Sequence, residues 1–167
     1  MPISEYLRGV REKVGRELLL MPSVTGVVFD ADGRLLLQRH GDTGRWVTPG
    51  GAVEPDEAPI DALVRELWEE TGLVCEPIGL LGVFGGPEFR VHYRNGDEAA
   101  YVIAAFECRV QSGVLRLDGD ESAELRWVTR DEAEPLALSP AARIVVATAF
   151  AHRGRTWVPA ARWSPPR

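Results

Sequence analysis

The sequence predicts one α/β domain, and three observations predict it. Short apolar runs bounded by Gly, Pro, Asn and Asp alternate with two segments of helical period, at 58–71 and 139–152. At 167 residues, with 45% hydrophobic and 26% charged content, the chain can bury roughly 70% of its unfolded surface around one core. No repeat and no linker divides it, and the Gly/Pro-rich stretch 41–55 is short enough to be a loop within the domain.

In chain order, Ile3, Leu7, Val10 and Val14 stand at helical spacing among charges, an amphipathic helix of about three turns. Residues 1–20 are therefore expected as an added N-terminal helix of the same domain, 21–152 as the domain body and 153–167 as a Pro/Arg-rich tail. Val24 to Phe29, the turn Asp30-Ala31-Asp32-Gly33 and Leu35 to Leu37 read as a hairpin. Gly41, Gly44, Pro49, Gly50, Gly51 and Pro55 then shape a loop that leaves Trp46-Val47 room for only a very short strand. The helix at 58–71 has Pro59 in its first turn and Gly72 where it must stop. Strands are expected at 74–84, 88–93, 99–110 and 124–129, with Asn95-Gly96-Asp97 as a hairpin turn. The last helix begins at Ser139 as cap, with Pro140 first.

Composition excludes several function classes. Cys75 and Cys108 lie far apart and form no Cys-x-x-Cys pair, which argues against a disulfide framework or thiolate metal site and fits a reducing, cytoplasmic setting. No apolar run approaches the roughly 20 residues of a membrane span. The charged segment 5–17 is unlike a signal peptide. A net charge of −6 argues against long nucleic acid as partner, so an anionic substrate must be met by local donors.

The chemistry concentrates on the helix at 58–71. Projected at about 100° per residue, Ile60, Leu63, Val64, Leu67 and Thr71 form the packing stripe. Glu66, Glu69 and Glu70 crowd a neighbouring arc, because residues three and four apart are adjacent on a helix. Like charges there cost a few tenths of a kcal/mol per pair, which a hard divalent cation would offset. Arg65, one turn before Glu69, can orient that carboxylate as a bidentate pair. Taken alone, such an arc is more often a solvated acidic face.

The spacing around it reverses that reading. Gly51, five residues, Glu57, seven residues, Arg65-Glu66-Leu67, one residue, Glu69-Glu70, one residue and Gly72-Leu73 resembles the Nudix box at every specified position over 23 consecutive residues. Leu35 to Arg39 and Trp46 to Gly51 resemble the strand and loop that precede the box, and 121–128 resembles the segment that leads into a late strand of the family. The resemblance implies an α/β/α sandwich around a mixed sheet and hydrolysis of a pyrophosphate link by attack of water on phosphorus. It implies Mg²⁺, with Mn²⁺ as substitute, held by Glu69, Glu70, Glu66 and the Gly50 carbonyl, with Glu57 orienting the loop or a metal-bound water. For the general base, Asp118, Asp120, Glu121 and Glu124 compete with the box acids, and Glu121 is favoured.

A small-molecule nucleotide is the expected substrate. Arg39, His40 and Arg45 are candidate phosphate or ribose contacts, and Trp46 either stacks on a base or fills the core. Phe89 belongs to an aromatic and basic strand that can line a pocket. Pro87, 15 residues beyond Gly72, is near where ADP-ribose hydrolases of the family carry a proline, which favours a nucleoside diphosphate sugar over a nucleoside triphosphate. A non-catalytic nucleotide sensor is the reading of another class, and a homodimer is compatible with the N-terminal helix and the tail.

Overall fold

The computed structural model describes residues 4–41, 43–117 and 122–161. Helix α1 (Glu5–Val14) is capped by the Ser4 hydroxyl, which accepts from the Leu7 amide at 3.2 Å, and buries none of its residues. It is tied down by Arg11, whose guanidinium donates to the carbonyls of Glu17 and Glu98, each at 2.7 Å.

Strands β1 (Leu19–Val28) and β2 (Leu35–His40) are joined by the expected turn, in which Asp30 Oδ1 accepts from the amides of Asp32 and Arg34 at 3.0 and 2.8 Å. The expected hairpin does not form. After a single bridge between Phe29 and Leu35 the strands part into different sheets. Leu35, Leu36 and Leu37 are all sealed from solvent, so β2 has two apolar faces, and a two-stranded ribbon can cover only one. Strand β1 instead runs parallel to β6 (Glu98–Gly113), with Leu19 opposite Ala99 and Val28 opposite Cys108. Strand β2 takes β3 (Trp46–Val47) on one edge and β7 (Ser122–Val128) on the other, both antiparallel.

Strand β4 (Leu73–Phe84) pairs antiparallel with β6 and gives the larger sheet its order β1-β6-β4. Strand β5 (Arg90–His92) returns to the start of β6 through the Asn95-Gly96-Asp97 turn, where Gly96 has φ of 87°. The expected strand 88–93 starts later than its pattern suggests: Pro87–Phe89 is a 3₁₀ turn, because Pro87 has no N–H to give a ladder.

Helix α2 (Pro59–Thr71) covers one face of the larger sheet, its Leu63 and Leu67 packing with Val24, Val28, Leu36, Cys75 and Cys108. A Cβ on Gly26 would sit 2.7 Å from the Leu67 side chain, so glycine lets the helix approach the strand. After the short α3 (Arg130–Ala133), α4 (Pro140–His152) covers the other face through Val145, Val146 and Ala149 against Val27, Leu35, Leu37 and Phe84. Helices thus sandwich a mixed sheet. No described helix is long and apolar enough to cross a membrane. Beyond α4 the chain folds along β4: Thr156 Oγ1 donates to Leu80 O at 2.8 Å, and Trp157 stacks on Phe84 with centroids 5.2 Å apart. The end of the expected tail, 162–167, lies outside the described residues.

Candidate active site

Loop 49–53 lies against the free edge of β1 almost as another strand. Val24 N donates to Gly51 O at 2.9 Å, Gly26 N to Pro49 O at 2.8 Å and Val53 N to Pro22 O at 3.2 Å. The Ser23 hydroxyl adds a 2.6 Å bond to Gly51 O, and Thr25 Oγ1 lies 2.9 Å from Pro49 O. A Cβ on Gly50 would collide with the Val24 carbonyl, and at its φ of 146° an L side chain is strained as well. This is why glycine stands there.

The loop changes which face of α2 is buried. Ile60 is exposed and Val64 half-buried, whereas Ala62, Glu66 and Glu70 turn inward with Leu63, Leu67 and Thr71. The projection missed this rotation because it assumed packing on the sheet alone. Glu66 is 0% exposed, and a Cβ on Gly51 would strike its carboxylate. Glu70, also buried, accepts from the Gly50 amide at 2.7 Å. Glu69 is the outward member, with 45% of its side chain exposed.

Arg65 holds this set together, but not as the spacing suggested. Its bidentate pair is with Glu57, Nε to Oε1 at 2.8 Å and Nη2 to Oε2 at 2.9 Å. Nη1 donates to Glu66 Oε1 at 2.8 Å and more weakly to Glu69 Oε2 at 3.2 Å. The reason is local: the loop brings Glu57 back across α2, where its Oε2 also accepts from the Glu54 amide at 3.2 Å. The bond from Arg65 holds the Glu57 carboxyl below its ordinary range. Burial pushes the Glu66 carboxyl up, against the pull of Arg65 and with the push of Glu69 and Glu57.

Among the described residues one buried side-chain atom is left over: Glu66 Oε2 has no hydrogen-bond partner there. An acceptor in that state costs about 1–3 kcal/mol unless something supplies a donor or a cation. The carboxylates of Glu69 and Glu57 lie near enough to push the Glu66 carboxyl up, and carboxylate oxygens are hard donors of the kind Mg²⁺ takes. Among the described residues no group of three or more His, Cys, Asp or Glu side chains is already placed to hold a metal ion.

The other expected site residues are dispersed. Glu121, and with it Asp118 and Asp120, lies outside the described residues. Glu124 is bonded by Arg126 and Arg39, which hold its carboxyl below the ordinary range, so it is a poor proton acceptor at neutral pH. Arg39 is thereby engaged, with Nε 3.3 Å from Glu124 Oε2, and Arg45 donates to Leu138 O at 3.4 Å. Trp46 is 5% exposed, sits in the core cluster and carries the Arg126 guanidinium 4.9 Å from its ring centroid. Phe89 is 2% exposed and stacks on Phe84. Both aromatics fill the core and offer almost no surface to a ligand.

One polar residue escaped the sequence reading. Gln38 is 4% exposed although it follows three leucines in β2, and its Oε1 accepts from the Ser122 hydroxyl at 3.0 Å. A polar residue continuing a doubly buried strand was the available signal. A hollow between β4 and the chain after α4, lined by Ile78, Leu80, Glu107 and Thr156, includes no residue of α2 or of loop 49–53.

The fold and box have counterparts. The family model described as NUDIX domain matches residues 19–149. A MutT-like protein of Streptomyces ambofaciens is 42% identical over 110 residues, 66% of this chain and 64% of that protein. A putative 8-oxo-dGTP diphosphatase of Bacillus subtilis (strain 168) is 32% identical over 103 residues, 62% of each chain. The chain thus spans less than two thirds of the length of these curated relatives. The crystal structure of a MutT NUDIX hydrolase from Burkholderia pseudomallei superposes with a TM-score of 0.65 at 28% identity, covering 77% of this chain and 97% of that one. With the box intact on α2 and the fold matched on both sides of it, the chain belongs to the NUDIX domain family.

Proposed function

We propose that the chain is a divalent-metal-dependent enzyme that hydrolyses a phosphoanhydride bond of a nucleoside triphosphate to the monophosphate and pyrophosphate. The observation that carries the reaction type is the partnerless buried oxygen of Glu66, seated against Gly51 and beside Glu69 and Glu70. Glu69, Glu70, Glu66 and the Gly50 carbonyl are the residues that would hold Mg²⁺. An ion held there would neutralise charge on phosphate oxygens and lower the pKa of water. Glu57, with both carboxylate oxygens bonded to Arg65, orients that arginine and through it Glu66 and Glu69. The Gly50 amide fixes the Glu70 carboxylate, and the sealed packing of Glu66 excludes bulk water from that side.

Two groups compete to accept the proton of the attacking water. Glu121 is the proposed base because it precedes Ser122 at the start of β7, and Glu66 Oε2 is the competitor. Loss of the alkaline-limb rate and a changed pH–rate profile in Glu121→Gln, with the profile kept in Glu66→Gln, supports Glu121. An unaltered profile in Glu121→Gln removes it.

The triphosphate is preferred to a nucleoside diphosphate sugar for two reasons. Pro87, which favoured the sugar, opens the 3₁₀ turn that plants Phe89 in the core and so has a packing role. The relatives named above include a putative 8-oxo-dGTP diphosphatase. The test is a panel of canonical and oxidised nucleoside triphosphates, ADP-ribose and nucleotide sugars with Mg²⁺, followed by product analysis. Faster turnover of a diphosphate sugar overturns the substrate, and no hydrolysis with Mg²⁺ or Mn²⁺ restores a non-catalytic nucleotide-binding role.

A further inference from the structure

A triphosphate carries several negative charges into a site whose nearest side chains are carboxylates, so donors must receive it. Of the cations expected to do so, Arg39 is engaged by Glu124 and Arg45 by Leu138 O, and Arg126 and Arg65 are likewise engaged, by Glu124 and by Glu57, Glu66 and Glu69. Gln38 differs from all of them. It is only 4% exposed, its side-chain oxygen accepts from Ser122, and among the described residues its amide nitrogen donates to no group. That nitrogen is nevertheless not among the sealed, partnerless atoms, so it borders accessible space. An amide that keeps one end fixed and the other open is oriented to donate outward.

Its position on the strand says toward what. Side chains alternate along β2, and Leu36, two residues before Gln38, packs in the cluster of Leu63 and Leu67 of α2, whereas Leu35 and Leu37 belong to the α4 side. Gln38 therefore stands on the α2 side. Opposite it in the ladder is Val47, from which the chain runs through Thr48 and Pro49 to Gly50, bonded to Glu70. The register break between Arg39 and His40 follows immediately, so Gln38 is the last regularly paired residue facing the carboxylate helix.

We propose that Gln38 is a substrate-contacting residue whose amide N–H donates to a non-bridging phosphate oxygen of the bound nucleotide. A neutral donor suits this place, since it receives an anion without pairing off a metal-ligating carboxylate. The assignment rests on the phosphoanhydride hydrolysis proposed above.

Two variants separate the contact from a packing role. Gln38→Met conserves volume and removes both hydrogen-bonding ends. Gln38→Glu, assayed at alkaline pH, keeps an acceptor for Ser122 and replaces the donor by a second acceptor. Melting temperature and circular dichroism establish that each is folded. For Gln38→Met, kcat/KM should fall about tenfold, by the same factor for ATP, ITP and UTP, because phosphate is common to all three. Gln38→Glu should fall at least as far, although its bond to Ser122 survives. Full activity of Gln38→Glu overturns the proposal and leaves Gln38 a packing residue. A loss that depends on the base overturns it too, placing the amide at the base edge. If the parent protein hydrolyses no nucleotide, the reaction falls, and the contact is read by calorimetry of ADP and inorganic pyrophosphate with Mg²⁺. Weaker binding of both by Gln38→Met and Gln38→Glu sustains the contact; equal binding by parent and variants, or no binding to the parent, ends it.

Discussion

Helices α2 and α4 are each 13 residues long, each begins with proline, and each covers one face of the sheet, yet they differ in almost everything else. Helix α4 is capped by Ser139, whose hydroxyl accepts from the Ala142 amide at 3.1 Å, and buries Ala, Val and a single Thr. Helix α2 has Ala58 where a cap belongs, with no side-chain bond, and buries Glu66 and Glu70. Helix α4 is built for cohesion. Helix α2 carries a carboxylate oxygen that no described residue bonds, and it is the helix on which the proposed chemistry stands.

If that contrast is right, substitutions in the two helices should separate activity from stability. The largest effect is expected from Glu69→Gln and Glu70→Gln, each lowering turnover by several orders of magnitude while circular dichroism and melting stay near the parent. Near-normal rates in both would remove the metal assignment and with it the contrast. On the other side, Val145→Ala in α4 should lower stability by about 2 kcal/mol in denaturant titration and leave kcat unchanged. A fall in kcat at constant stability would show α4 coupled to the site.

Glu66→Gln sharpens the comparison further, because it should lower activity sharply, leaving a measurable residual rate, and yet raise the melting temperature of the metal-free protein. The sign follows from burial. A carboxyl whose pKa is raised in the folded state costs stability above its ordinary pKa and ceases to cost it once the pH falls low enough to protonate it. The gain from Gln should therefore be present at neutral pH and vanish in acid, with Arg65 still held by Glu57. Glu57 has the opposite sign: its lowered pKa contributes stability above the ordinary carboxylate range that is lost as pH falls. A melting temperature that drops in Glu66→Gln at neutral pH would show that the Arg65 bond outweighs the orphaned oxygen. The smallest change is Ala58→Asp, which supplies the missing cap and should stabilise by about 0.5–1 kcal/mol with unchanged turnover, by thermal melting and steady-state assay.

The sequence was most legible where a local rule decides. Pro59 and Gly72 bound α2, Ser139 and Pro140 start α4, and Asn95-Gly96-Asp97 turns β5 into β6, because caps and turns act within a few residues. It misled where partners are remote. The β1–β2 hairpin failed because pairing is chosen by the faces left to bury, and Pro87 and Phe89 took packing roles that their strand-like surroundings hid. Trp46, placed near a loop rich in glycine, fills the core because β3 pairs with β2 above α4.

The box spacing by itself determined the family and pointed to the reaction type and acids proposed above, since the 23-residue pattern encodes a loop and helix whose contacts with each other are short in sequence. Only the tertiary structure decided which acids are buried, where Arg65 makes its bidentate pair and that the Gln38 amide nitrogen has no partner among the described residues. Those features depend on loop 49–53 lying along β1 and on β2 meeting β7, contacts between segments about 25 to 85 residues apart. No periodicity along the chain records them.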